Sequence, residues 1–110
     1  MATNPKDKGY EDAFKLIAAA GNAKSQAMMA IREAREGNFE EARKLLVLAD
    51  EDLHSAHRAQ TKLLTEEARG NTIDVNIILV HAQDHLTGAM LVRDLAEEFI
   101  ELYSILAAKA

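Results

Sequence analysis

The chain has 110 residues, nearly half of them apolar, with three Phe, two Tyr, no Trp, no Cys and a formal net charge of −5. One domain of this size buries a single core, which here must be built from Ala, Leu, Ile, Val and Met. An acidic balance without any block of Lys or Arg argues against nucleic acid or an anionic membrane as the main partner, and the lack of cysteine excludes a disulfide framework and a thiolate metal site.

Met1 to Gly9 are polar, contain the only proline, Pro5, and carry no apolar signal core, so residues 1–9 are expected to form a disordered arm ahead of a single domain spanning 10–110. From Tyr10, the apolar positions Phe14, Ile17, Gly21, Met28 and Ile31 recur at helical spacing and mark helix one, with Ala, Gly and Ser between them permitting close approach of a neighbour. Gly37 is expected to end it in a left-handed conformation, and Asn38 with Glu41 makes a capping-box-like start for helix two. That helix runs from Phe39 to about Arg69, with Ala42, Leu45, Leu46, Ala49, Leu53, Ala56, Gln60, Leu63 and Leu64 on one stripe and Gly70 closing it. A loop over 70–74 leads to helix three, which extends through His81 to about Ala107. Hairpin and β-alternation signals are absent, so the expected fold is an all-α, antiparallel up-down-up three-helix bundle. Gly37-Asn38-Phe39-Glu40-Glu41-Ala42 resembles half of a tetratricopeptide repeat but occurs once, and a solenoid needs several copies. The longest apolar run, Ile77–Val80, is too short to span a bilayer, and a cytoplasmic location is expected.

In helix three the pentad His81-Ala82-Gln83-Asp84-His85 interrupts an amphipathic pattern. At about 100° per residue, His81, Asp84, His85 and Gly88 share a face with Ile77, Val92, Leu95 and Phe99, whereas Gln83, Asp94, Glu97, Glu98 and Glu101 fall on the polar side. The ionisable groups are therefore expected to point toward a packed surface, where a charge needs a partner or a purpose.

Two histidines at i and i+4 could ligate zinc, yet Ala82 stands where H-E-x-x-H has its Glu, and the acidic residues downstream lie on the other face. Alternatively, one imidazole serves as a nucleophile that accepts and passes on a group, because the neutral ring offers a nitrogen lone pair while its other nitrogen can be held by a hydrogen-bond acceptor. No competing Ser or Cys nucleophile lies in the pentad and no glycine-rich phosphate loop exists, so a phosphoryl donor would be another protein. A non-enzymatic interaction module, whose His/Asp cluster binds metal or specifies assembly, is the other reading of the same residues.

The run Ile78-Leu79-Val80-His81-Ala82-Gln83-Asp84-His85-Leu86 closely resembles the active-site helix of the lactose/cellobiose-type enzyme IIA of the bacterial phosphoenolpyruvate-dependent sugar phosphotransferase system. Gly21-Asn22-Ala23-Lys24-Ser25, Gly37-Asn38-Phe39, Ala56-His57-Arg58-Ala59-Gln60-Thr61 and Glu67-Ala68-Arg69-Gly70 resemble that family in the same order, so the likeness spans about residues 10–105. The resemblance implies a homotrimer of three-helix subunits in which His81 receives a phosphoryl group from phospho-HPr and gives it to the cysteine of a cognate enzyme IIB, during uptake of a lactose-, cellobiose- or chitobiose-type sugar. It also implies that Asp84 lies at the trimer axis, where three copies share a metal ion such as Mg²⁺. His85 and His57 are the implied residues beside the site. His54 has no counterpart and is expected to be solvated, and Gln83 is expected on the polar side. Thr87-Gly88 stands where the family has Met and then small or hydroxylated residues.

Overall fold

The computed structural model describes residues 5–71 and 74–110, with side chains from Tyr10 onward. Three helices follow in order: α1 (Pro5–Arg35), α2 (Phe39–Ala68) and α3 (Ile77–Lys109). Helix α1 starts at Pro5, five residues before the expected Tyr10, so residues 5–9 are helix rather than arm; residues 1–4 lie outside the described part. Proline suits the first helical position because its fixed φ is already helical and its missing N–H would have no partner there.

Both connections end a helix by one device. Gly37 and Gly70 adopt φ of +87° and +86°, a region that favours glycine. The amides of Gly37 and Asn38 bond back to Ala34 and Glu33 carbonyls at 3.0 and 2.8 Å, and those of Gly70 and Asn71 to Glu67 and Glu66 at 3.1 and 2.9 Å. This double closure satisfies carbonyls that the helix end would leave open. In each turn the asparagine Nδ2 also donates to a carboxylate of the preceding helix, Asn38 to Glu33 and Asn71 to Glu66, both at 2.9 Å. The expected capping box therefore does not form: the Asn38 side chain is turned back to α1 and makes no cap bond to α2. A true side-chain cap opens α3, where Asn76 Oδ1 accepts from the Leu79 amide at 2.9 Å.

Cross-helix pairs fix the topology. Lys62 Nζ of α2 lies 3.5 Å from Asp12 Oδ1 of α1. Gln60 bonds to Gln83 and Asp50 to Arg93, so moving ten residues back along α2 moves ten forward along α3. Helix α2 thus runs antiparallel to α3 and α1, as the up-down-up reading requires. The molecule measures 60 × 24 × 20 Å with a radius of gyration of 17.2 Å. A compact chain of this length would have a radius near 13 Å, so this one is a rod with a large surface for its mass.

The core is mainly alanine. Ala13, Ala20, Ala23, Ala27 and Ala30 of α1 meet Ala42, Ala49 and Ala56 of α2 and Ala82, Ala89 and Ala96 of α3, with Leu16, Leu53, Leu86 and Ile100 filling between them. The expected stripe of α2 is buried except for half-buried Gln60 and exposed Leu64. The other two stripes are corrected. In α1, Tyr10, Phe14 and Met28 are exposed and the alanine row is inside; in α3, Ile77, Leu95 and Phe99 are exposed, and the buried row is Ala82, Leu86, Ala89, Ala96 and Ile100. Small side chains let helix axes approach closely, so the alanine face packs and the bulkier face is left outside.

Candidate functional site

Asn76 sets where α3 begins and so places His81 in its second turn, on a rigid element rather than a loop. His81 is exposed and His85 half-buried, and their ring centroids are 4.2 Å apart with planes inclined at 50°. The i, i+4 spacing brings the two rings together on one flank of the helix. Asp84 is exposed on the same outward side. His81 and Asp84 therefore face away from the core of their own chain, while Ala82 between them is buried in it. An exposed imidazole with a nitrogen lone pair can be reached by a group held on another molecule.

The outward side of α3 also carries a row of exposed apolar residues, interrupted by exposed Glu98. Ile77 is 84 % exposed and Leu91 60 %, and Leu95, Phe99, Leu102 and Leu106 are exposed as well. Asp84, Gly88, Leu91, Leu95, Leu102 and Leu106 follow one another at spacings of three, four or seven residues, the pattern of a seam between packed helices. At Gly88 an added Cβ would meet no atom within 4 Å, so the chain itself gives no packing reason for that glycine.

The remaining histidines lie elsewhere. His57 and His54 are exposed and line a groove of about 360 Å³ between α2 and α3 with Asp50, Leu53, Met90, Arg93 and Asp94, and no residue of the pentad lines it. Gln83 is not on a polar outer side: it is half-buried and accepts a 2.7 Å bond from Gln60 Nε2, tying α3 to α2. Sequence reading missed the second tie, which is stronger. Arg93 donates through Nε to Asp50 Oδ1 at 2.6 Å and through Nη2 to Asp50 Oδ2 at 3.0 Å, while Nη1 reaches Glu97 at 2.6 Å. The hydrogen bonds to Asp50 hold the Arg93 guanidinium protonated beyond its ordinary range; burial opposes this, and Glu97 adds to it. The Arg93–Glu97 spacing is visible in the sequence, but Asp50, 43 residues away, is not. Asp12, buried beside Lys62, was also missed.

Among the described residues, no group of three or more His, Cys, Asp or Glu could hold a metal ion. No helix is long and apolar enough to cross a membrane.

An all-α, three-helix protein presenting a histidine pair on an unpaired apolar helix face is the class that this geometry defines. Residues 11–104 match the model of the lactose/cellobiose-specific IIA subunit of the phosphotransferase system, and the chain belongs to that family. It is 50% identical over 90 residues to the lichenan-specific phosphotransferase enzyme IIA component of Bacillus subtilis (strain 168), covering 82% of each chain. The crystal structure of the cellobiose-specific enzyme IIA from Bacillus anthracis superposes with a TM-score of 0.91 at 43% identity, over 100% of this chain and 97% of that one. The chitobiose IIA of Escherichia coli, solved in complex with HPr, aligns with a TM-score of 0.78 at 36% identity over 96% and 99% of the two chains. The protein is thus an enzyme IIA component of a sugar-transporting phosphotransferase system.

Proposed function

We propose that the protein is a phosphoryl carrier that accepts the group from phospho-HPr on His81 and passes it to the cysteine of a cognate enzyme IIB in the cytoplasm, during uptake of a lactose-, cellobiose- or chitobiose-type sugar. The observation that carries this is the exposure of His81 on a rigid helix in a chain of this family. A carrier must present its nucleophile to two proteins in turn, and a side chain on a convex, uncovered helix flank meets that need. In the first step a His81 ring nitrogen attacks phosphorus as the donor's P–N bond breaks. In the second the partner's thiolate attacks, the new P–N bond breaks and an S–P bond forms. Positioning two nucleophiles about one phosphoryl group is the main catalytic demand. The His85 ring, 4.2 Å from that of His81, supports a role for His85 beside the acceptor ring. His57 lies in the α2/α3 groove and so acts, if at the site, from another copy.

The assembly is read as a homotrimer packed through the outward seam of α3. Its support is the exposed row Leu91, Leu95, Leu102 and Leu106, apolar surface of the kind that marks an interaction site. Three copies about this seam bring Asp84 to the axis. Carboxylate oxygens suit a hard cation, so Asp84 from three subunits would hold Mg²⁺, whose role there is to offset their mutual repulsion.

Incubation with phosphoenolpyruvate, enzyme I and HPr is expected to give an acid-labile, alkali-stable phosphohistidine in the wild type and none in His81→Ala. Labelling that persists in His81→Ala overturns the assignment.

A further inference from the structure

One groove along the rod carries cations in excess. It has a volume of about 430 Å³, runs between α1 and α2, and sets Lys15, Arg58 and Lys62 against the carboxylates of Asp12 and Asp52. On a chain whose net charge is −5 this is a local reversal. The groove at the first turn opposes Glu33, Glu40 and Glu41 to Lys44, and the α2/α3 groove opposes Asp50 and Asp94 to Arg93. Alanines make the space: Ala18, Ala19 and Ala59 line the cationic groove with side chains too small to fill it.

Its polar groups are graded along its length. Asp12 faces Lys62 at 3.5 Å, so in these antiparallel helices Asn22, ten residues on in α1, comes level with Asp52, ten residues back in α2. Lys15, Arg58 and Lys62 therefore lie toward one end, and Asn22, Ser55 and Asp52 toward the other. Arg58 and Asp52 are six residues apart, about 9 Å along the helix. Lys62 is engaged by buried Asp12, and Lys15 is 3.6 Å from Glu11 in a solvent-exposed pair that holds it only weakly. Arg58 is exposed and makes no hydrogen bond or ion pair among the described residues, so its fork of donors is open.

From this arrangement we infer that the α1/α2 groove binds a phosphate monoester of a polyhydroxy compound, a sugar phosphate. A guanidinium fork with an ammonium beside it is the donor set that takes a phosphate, here Arg58 with Lys15. Asp52 repels a phosphate but accepts bonds from hydroxyl groups, and Asn22 and Ser55 can donate or accept. The distance of about 9 Å between the two ends is comparable with one sugar ring and its phosphate. A ligand that is anionic at one end and rich in hydroxyl donors at the other satisfies both; inorganic phosphate or an uncharged sugar satisfies one. The groove shares no residue with the pentad of α3, so the inference stands apart from the carrier reading.

Isothermal titration of the full chain with glucose 6-phosphate at low ionic strength tests this, with inorganic phosphate and glucose as the other arms. Glucose 6-phosphate is expected to saturate with a Kd below about 1 mM, inorganic phosphate to bind about tenfold more weakly, and glucose to give no binding heat. Arg58→Gln should weaken glucose 6-phosphate about tenfold while the far-UV circular dichroism stays that of the wild type. Asp52→Ala should weaken glucose 6-phosphate yet leave inorganic phosphate as tight or tighter, because it removes both a hydroxyl acceptor and a charge that repels phosphate. Titrations that show no saturation by about 10 mM overturn the proposal. Inorganic phosphate that binds as tightly as the sugar phosphate also overturns it, leaving a bare anion site. Wild-type affinity in Arg58→Gln does the same, since the ligand then sits elsewhere on the chain. None of these results bears on phosphoryl transfer to His81.

Discussion

The two faces of α3 carry apolar residues of opposite kinds. On the inner face Ala82, Leu86, Ala89, Ala96 and Ile100 are buried among the alanines of α1 and α2; on the outer face, which also carries His81 and Asp84, Ile77, Leu91, Leu95, Phe99, Leu102 and Leu106 stand exposed along the helix. A globular chain usually puts its largest apolar side chains inside. Here close packing of three helices takes the small ones, and the bulk is kept for contact with something else. The inner face makes the subunit, and the outer face makes its encounters.

That division predicts different failures on the two sides. In the proposed homotrimer, Leu91→Glu with Leu95→Glu places six carboxylates in the seam, each costing several kcal/mol to desolvate, and is expected to weaken association by more than a thousandfold. Sedimentation should show monomers while far-UV circular dichroism stays helical; loss of helix as well would mean that the outer face also holds the subunit together. Ala89→Leu on the inner face should do the reverse, lowering subunit stability by about 1–3 kcal/mol through overpacking, read by urea unfolding at fixed protein concentration. No change there would show the alanine core to be looser than its burial implies. Asp84→Leu is the mildest case. If Asp84 converges from three subunits as proposed, its removal should make the assembly indifferent to chelator and tighten it roughly tenfold in the absence of divalent ions. Dissociation of this variant would remove the axial role of Asp84.

The same contrast explains what could be read from the sequence. Helix α2 has one apolar face, and its stripe from Ala42 to Leu63 was legible because periodicity had a single solution. Helices α1 and α3 each have two candidate faces, one alanine-rich and one bulky. Ranking by side-chain size selected Phe14 and Leu95, whereas close approach of helix axes selected Ala20 and Ala89. The glycine turns were legible because φ near +87° is a local requirement. Asn38 was misjudged because its amide goes to Glu33 in the preceding helix instead of forward. His81, Asp84 and His85 stood out in the sequence as an anomaly, and His81 and Asp84 lie on the outward side with the rest of their stripe. Gln60–Gln83 and Arg93–Asp50 are pairings 23 and 43 residues apart, which no local pattern encodes.

The twin glycine–asparagine turns have a bearing on the order of events after synthesis. Each closes through bonds between residues no more than five apart, so both helical hairpins can form from local contacts in microseconds to milliseconds. Meeting another copy is bimolecular and waits on concentration. On the proposed assembly, a new chain completes its helices alone and then carries the bare outer side of α3 through solution for an interval that lengthens as the protein is diluted.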